Sequence, residues 1–531
     1  MSIDNLSTEL LATEHYDIII IGTGAAGGTL AYKLAPTGKS ILVLERGSFM
    51  PREKENWDTK VAFKSNRYHN DEVWYDRDGN ELHPGMSYSV GGNTKIYGAA
   101  LFRLREQDFE AYQHKDGLSP AWPLKYRDFE PYYTEAEKLY QVHGNQGIDP
   151  TEPPRSHDYF YPAVSHEPRM ESVSNSLQQK GLHPYHTPLG IRLNEVQQHL
   201  SECIRCNTCD GFPCLVHAKS DAEVTGILPA IQHPNLTLLT EAKVLKLHTS
   251  DSGKEITTVE VSINNEIKYF SGGIVVLSCG AVNSSTIMLR SHNDQHPNGL
   301  ANSSDLVGRN FMKHVLGSII GVTKEPNSTK FQKTLSINDF YWGEDGYDYP
   351  MGQIQTLGKV NKEMIEGNTA AYAPRTPEEV ASHSVDWWLT VEDLPESNNR
   401  VRVDGDRIIL DYTENNTEPY ARLEQKWIEI LKSIDCGESI LSHDSYFVKG
   451  STNYFTGKLP LQGVGHQVGT CRFGEDPQTS VLNLNCQTHD IDNLYVVDGS
   501  FFCSSGAVNP TLTIIANALR VAEHLIKRLE A

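Results

Sequence analysis

Residues 16–47, YDIIIIGTGAAGGTLAYKLAPTGKSILVLERG, constrain the chain more than any other stretch. Asp17 to Ile21 is a short apolar, β-branched run and reads as a buried strand. Gly22, Gly24 and Gly27 then supply GxGxxG, and Ala25 to Leu34 reads as a helix. A second apolar run, Ser40 to Leu44, ends in Glu45. This is a βαβ unit with an acid at its far end. Gly22 permits the tight turn, Gly24 lets backbone approach a pyrophosphate, and Gly27 lets the helix pack close to the sheet. The diphosphate would sit on the helix amino terminus, where free N–H groups and the dipole favour negative charge. Glu45 lies roughly 20 residues past the glycines, where a carboxylate takes the hydroxyls of an adenosine ribose. The motif by itself does not separate NAD from FAD.

At 531 residues the chain is too long for one simple core, and two or more lobes are expected. A formal net charge of -21 repels phosphate backbones and anionic lipid, which argues against nucleic-acid or membrane-surface partners. The amino terminus is acidic and polar, without the features of a secretory signal, and no apolar run is long enough to span a bilayer. A cytoplasmic protein is expected, with its nine cysteines as thiols and triplets such as Asn235-Leu236-Thr237 unglycosylated.

Further along, the Gly91-Gly92 pair with Ser89, Asn93 and Thr94 permits close approach of backbone to a ligand, or simply a packing turn. Asp128 to Tyr140 has helical spacing. Cys203, Cys206, Cys209 and Cys214 form C-x2-C-x2-C-x4-C. Zinc, an iron–sulfur cluster and a thiol-rich loop are the readings of that run; the spacing fits neither common ferredoxin pattern, zinc sites normally draw pairs from separate turns, and no metal is assigned. Leu236 to Leu247 reads as strand, turn and strand, and Gly273 to Cys279 as another buried strand. These returns make the dinucleotide domain discontinuous: residues 1–110, 200–310 and 460–531, with 111–199 and 311–459 forming a substrate domain and cover segments.

From about Phe311 to Leu459, period-two alternation in 351–358, 384–392 and 400–411 predicts a largely antiparallel sheet with one face toward a cavity. Gln353 and Gln355 would share one face, and Trp388, Thr390 and Glu392 another. Amides, hydroxyls and aromatic faces suit a polyhydroxylated ligand, and Gln353, Gln355 and Thr390 are the candidate substrate contacts. In the last segment His466 follows Gly463 and Gly465 on a turn, and Leu494 to Val497 is a final strand ending in Asp498-Gly499. Asn509-Pro510 opens an amphipathic helix over Thr511 to Leu529, with Asn509 suited to the N-cap.

With these motifs assembled, the chain resembles the glucose–methanol–choline family of flavin oxidoreductases. The resemblance rests on the first βαβ unit, the Gly91-Gly92 segment, LSCGAVNSSTIML at 277–289 and the block from His466 to Leu525. It implies FAD, a Rossmann-like FAD-binding domain, and a substrate domain on an antiparallel sheet. Within the family, the segments at 91–109, 119–144 and 209–224 look like bacterial pyranose oxidases and C-glycoside 3-oxidases. That implies oxidation of a secondary ring hydroxyl, at carbon 3 or carbon 2 of a pyranose or glycoside, to a ketone, with oxygen or a quinone-like compound as acceptor. A choline-type alcohol oxidase and an electron-transfer flavoprotein with a cysteine-bound cluster are the alternatives.

Carried over by motif, His466 resembles the catalytic base and Asn509 its partner at the alcohol oxygen. The resemblance places FAD against Gly22, Gly24, Ala26, Gly27, Glu45 and Arg46, then Ser89, Gly91, Gly92, Asn93 and Gly98. Val244 would meet adenine through its backbone, Asp498 would hold the ribityl or phosphate region, and Asn509 and Thr511 would place a helix terminus by the flavin pyrimidine. The second family signature is matched only in part, since Leu289-Arg290-Ser291-His292 stands where Ser-Gly is usual. Some members tether flavin through a histidine after the paired glycines. Here Asn93-Thr94-Lys95-Ile96 has none, so non-covalent FAD is expected.

Overall fold

The apolar run at 17–21 is the buried end of a strand, Glu14–Ile21, in the computed structural model, which describes residues 14–65, 67–366, 375–434, 447–448, 457–463 and 465–530. Ile18, Ile19 and Ile20 are wholly buried, as a parallel strand covered on both faces requires. On one side this strand pairs in parallel with Ile41–Leu44, which pairs with Leu236–Leu239. On the other it pairs with Glu266–Leu277, whose last residues pair in parallel with Leu494–Val496. The first residues of Glu266–Leu277 instead begin an antiparallel arm with Ile256–Ile263 and Ala242–Thr249. One Rossmann-like sheet of seven strands thus gathers segments from both ends of the chain.

The glycines explain how the first helix, Ala25–Leu34, sits on that sheet. An ideal Cβ on Gly27 would lie 1.9 Å from the carbonyl oxygen of Gly22, so no side chain fits at this crossing. Gly22 itself has φ +99°, the left-handed region that favours glycine. The carboxy-terminal helix, Thr511–Glu530, packs between the first helix and the helix Tyr126–Leu139.

A second sheet of seven strands is antiparallel throughout. Its main order is Phe447–Val448, Val315–Val322, Ser384–Val391, Gln353–Thr356, Leu335–Ile337 and Tyr185–His186, and Gly457–Lys458 also pairs with Val315–Val322. Alternation sorts its residues by face. Trp387 packs against Trp427 of the helix Thr417–Lys432, with ring centroids 4.7 Å apart, while Trp388 turns to the opposite side and lines the large cavity of the protein.

One stretch grouped with this sheet by its alternation lies elsewhere. Arg400–Asp404 and Arg407–Asp411 form a hairpin that joins Trp74–Asp76 and Glu81–Leu82 in a separate four-stranded sheet. Val401, Ile408 and Leu410 bury themselves against Trp74, Leu82, Val282 and Phe311. Period two specifies a half-buried strand but not which sheet buries it.

Candidate active site

A cavity of about 1090 Å³ opens between the two large sheets. That exceeds the roughly 300–1,000 Å³ of ordinary small-molecule pockets, leaving room for a dinucleotide and a substrate together. Of the residues expected at the cofactor, Gly22, Gly24, Ala26, Glu45, Arg46, Gly92, Asn93, Gly98, Val244, Asp498, Asn509 and Thr511 line it. Gly27, Ser89 and Gly91 stand behind the wall. Gly27 carries the helix crossing, the Gly91 N–H donates to Thr23 Oγ1 at 3.0 Å, and Ser89 Oγ shares a hydrogen bond with Ser87 Oγ at 3.0 Å.

The residues present fit a dinucleotide. The first helix starts at Gly24, which has no side-chain cap, and no acidic residue occupies the first turn. A Cβ on Gly24 would meet nothing within 4 Å. The opening N–H groups of that helix are therefore available to an anion approaching at backbone distance. At the far end of Ile41–Leu44, Glu45 Oε2 accepts the Thr23 N–H at 3.1 Å and its hydroxyl at 2.6 Å, and Oε1 accepts the Gly47 N–H at 3.0 Å. Burial raises the Glu45 pKa. Arg46 lies 3.8 Å above the Tyr88 ring and pairs with Glu72 at 3.0 Å, making a flat cationic wall beside Val244. Asp498 is fully engaged within the protein. Its Oδ2 accepts from Gly280 N and the Ser284 hydroxyl, and its Oδ1 accepts from Ser500 N and the Ser500 hydroxyl. Those bonds pin the turns at Gly280 and Gly499 against the cavity.

The reactive end is built from three segments. Nε2 of His466 lies 3.4 Å from Nδ2 of Asn509, and Oδ1 of Asn509 accepts from Nε2 of Gln355 at 3.0 Å. Asn509 therefore spends its side chain on the cavity, although its position before the last helix suits an N-cap. Burial, then the neighbouring His314, hold the His466 pKa well below the ordinary histidine range. Gln355 and Trp388 are cross-strand partners and both line the cavity. Gln353 and Thr390, the next pair along, are wholly buried outside the lining. The Gln353 amide nitrogen donates to the Tyr185 hydroxyl at 3.3 Å, and the Gln353 amide oxygen and Thr390 hydroxyl have no hydrogen-bond partner among the described residues.

Glu392 is likewise buried and serves the framework, accepting from Ser119 and Tyr112 and meeting His114 Nε2 at 2.8 Å. Two contributors carried no motif in the sequence. Lys333 joins Asp210 and the Gly98 carbonyl on the cavity wall, and His314 sits behind His466 with the two Nδ1 atoms 3.0 Å apart.

Models of the GMC oxidoreductase family match residues 16–316 and 395–518. The chain belongs to the GMC oxidoreductase family. Paromamine 6'-oxidase of Streptomyces fradiae is 27% identical over 96% of this chain and 91% of its own length. The fructose dehydrogenase large subunit of Gluconobacter japonicus is 26% identical over 99% of this chain and 100% of its own. Among solved structures, pyridoxine 4-oxidase from Mesorbium loti superposes with a TM-score of 0.66 at 17% identity, covering 96% of this chain and 99% of that one. This GMC oxidoreductase is an FAD-dependent enzyme acting on hydroxyl groups, and the helix terminus, Glu45 and the Arg46–Tyr88 wall line the cavity together, with a shape and chemistry that fit a dinucleotide.

The four clustered cysteines border one small void of about 20 Å³. Among the described residues, no group of three His, Cys, Asp or Glu side chains is arranged to hold a metal ion, and no helix is long and apolar enough to cross a membrane.

Proposed function

We propose that this GMC oxidoreductase oxidises a ring hydroxyl, at carbon 3 or carbon 2, of a pyranose or glycoside, C-glycosides included, to the ketone. The observation that carries the reading is the pairing of His466 and Asn509 on a wall completed by Gln355 and Trp388. His466 Nε2 takes the hydroxyl proton; the O–H electron pair stays on oxygen and becomes the second bond of the carbonyl as hydride leaves carbon. FAD, when bound, supplies the hydride acceptor. Asn509 Nδ2 donates to the same oxygen and fixes its distance from His466. Gln355 holds the Asn509 amide in that orientation, and the indole of Trp388 offers an apolar platform to a sugar face.

The flavin is held without a covalent bond in this reading, since residues 93–96 contain no histidine. The eight described cysteines are unpaired thiols, in keeping with a reducing cytoplasm. A second reading, oxidation of an exocyclic hydroxymethyl group, draws on the relative named as a 6'-oxidase.

The test is anaerobic titration of the purified holoenzyme with pyranoses, O-glycosides, C-glycosides and amino-sugar glycosides while flavin absorbance is followed. Bleaching with a ketone product at carbon 2 or 3 is expected. An aldehyde at the exocyclic carbon selects the second reading, and bleaching by simple alcohols alone overturns both. Admitting air then separates oxygen from a quinone-like acceptor.

A further inference from the structure

We propose that His314 is a positioning residue that fixes the tautomer of His466 through a one-directional chain of hydrogen bonds anchored on the Ser505 carbonyl. The proposal rests on the reading of His466 as the base, which needs a bare Nε2, and it says why that nitrogen is bare. His314 Nε2 lies 3.1 Å from the carbonyl oxygen of Ser505. A carbonyl only accepts, so Nε2 of His314 carries a proton. His314 is wholly buried, and burial, the largest influence, pushes its pKa down to about 4, so the ring is neutral and its one proton is already assigned. Its Nδ1 is therefore a bare acceptor, 3.0 Å from Nδ1 of His466. A hydrogen bond between them requires the proton on Nδ1 of His466. The remaining nitrogen, Nε2, then carries only its lone pair, and it is the one beside Asn509.

The amides at the other end agree with this order. Gln355 donates to Asn509 Oδ1, so Asn509 presents its NH2 to His466, and a bare Nε2 is what can receive it. Every donor from Gln355 inward, and from His466 through His314 to Ser505, has a matching acceptor.

The chain has a rigid mount. Ser505 is tied to Asp393, its hydroxyl receiving the Asp393 N–H at 3.1 Å and donating to the Asp393 carbonyl at 3.1 Å. Gly506 N donates to Glu392 at 3.3 Å, and Asp393 accepts the Lys313 N–H at 2.9 Å. Lys313 and Glu392 are the charged groups acting on the His314 ring, in opposite senses. His314 itself is held at φ 64°, a left-handed conformation uncommon for a residue with a side chain and characteristic of over-determined functional positions. It does not line the cavity and acts on the substrate only through His466. When His466 takes a proton, its Nδ1–H continues to donate to His314, as the orienting partner does in a catalytic triad. A neutral imidazole does this without the charge that would draw a proton onto His466 beforehand.

The first measurement is the 15N spectrum of wild-type holoenzyme labelled at histidine, with His466 assigned by the signal lost in His466→Ala. An Nδ1-protonated, Nε2-bare pattern is expected; an Nε2-protonated pattern overturns both the proposal and the reading of Nε2 as the base, whereas an Nε2-bare pattern that persists unchanged in His314→Leu overturns the proposal alone. The second is anaerobic flavin reduction by the substrate that bleaches it fastest in the panel above. His314→Leu should slow reduction about 10- to 100-fold, the range for removing a supporting hydrogen-bond partner, with FAD content unchanged. His314→Gln, which can accept from His466 and donate to Ser505, should recover most of the rate. A leucine variant at the wild-type rate overturns the proposal. If His466→Ala itself runs at the wild-type rate, it is the reading of His466 as base that fails. The spectrum of the wild-type protein decides the tautomer even where leucine at 314 disturbs folding.

Discussion

Replacing His466 with Ala is expected to slow anaerobic flavin reduction by substrate about 10³-fold, with FAD still bound at full occupancy. General-base catalysis contributes on the order of 10²–10⁴-fold, and among the described residues no second base stands beside His466 and Asn509. Asn509 and Gln355 only donate or accept through neutral amides, and His314 is turned away with its free lone pair already engaged. The pH dependence should carry the same signature. Because burial and His314 hold the His466 pKa well below the ordinary range, the imidazole is neutral and ready as a base throughout neutral pH. Wild-type flavin reduction should therefore be flat from about pH 6.5, the ordinary histidine value, upward. It should fall only in more acid solution, as protonation removes the acceptor for the hydroxyl proton. A limb centred at the ordinary histidine value, or an alanine variant within tenfold of wild type, would contradict the assigned role.

The cavity wall proposed for the cofactor was legible because its determinants are local. The glycines at 22, 24 and 27 answer to backbone distances within one βαβ unit, and Glu45 ends the next strand of the same unit. Such constraints leave residue types at fixed spacings. The substrate half was legible only as a pattern. Alternation at 353–355 and 388–390 gave the face, and that face does meet the cavity at Gln355 and Trp388. How far the cavity extends along it depends on the opposing wall, so Gln353 and Thr390 were placed one residue pair too deep. His314 left no trace at all. Its role depends on a turn that brings residue 505 beneath residue 314, a pairing across 191 positions that no local spacing encodes. Glu392 was misjudged for a related reason: alternation placed it on a ligand face, whereas the strand ends at Val391 and the carboxylate turns to His114 and Ser119.

Glu137→Leu should destabilise the protein by about 3–5 kcal/mol, the range for breaking a buried ion pair by removing one partner. The carboxylate is bidentate to Arg103, with Nε and Nη2 each 2.8 Å from an oxygen, and it also accepts from Arg155. All three side chains are 1% exposed. Leucine would leave each buried guanidinium with a single carboxylate partner, 14% exposed in both cases, Glu130 at 3.1 Å for Arg103 and Glu152 at 3.6 Å for Arg155, beside the neutral partners Tyr126 and Thr134 of Arg103 and the His157 carbonyl of Arg155. Against a total stability of roughly 5–15 kcal/mol, that is a large share. The loss should reach the active site. Glu137 belongs to the helix Tyr126–Leu139, whose Tyr133 shares a 2.7 Å hydrogen bond with Thr513, two residues into the carboxy-terminal helix that opens on the cavity at Thr511. Loosening the first helix therefore loosens the mount of the second, and FAD should dissociate at lower denaturant than in wild type. Denaturant unfolding followed by flavin fluorescence and by far-ultraviolet circular dichroism measures both effects. Replacing Arg103 and Arg155 with Met alongside Glu137→Leu removes the stranded charges and should recover part of the stability. A single variant within about 1 kcal/mol of wild type would mean that water or the remaining acids already satisfy the two arginines, and the cluster would not be what holds the helix in place.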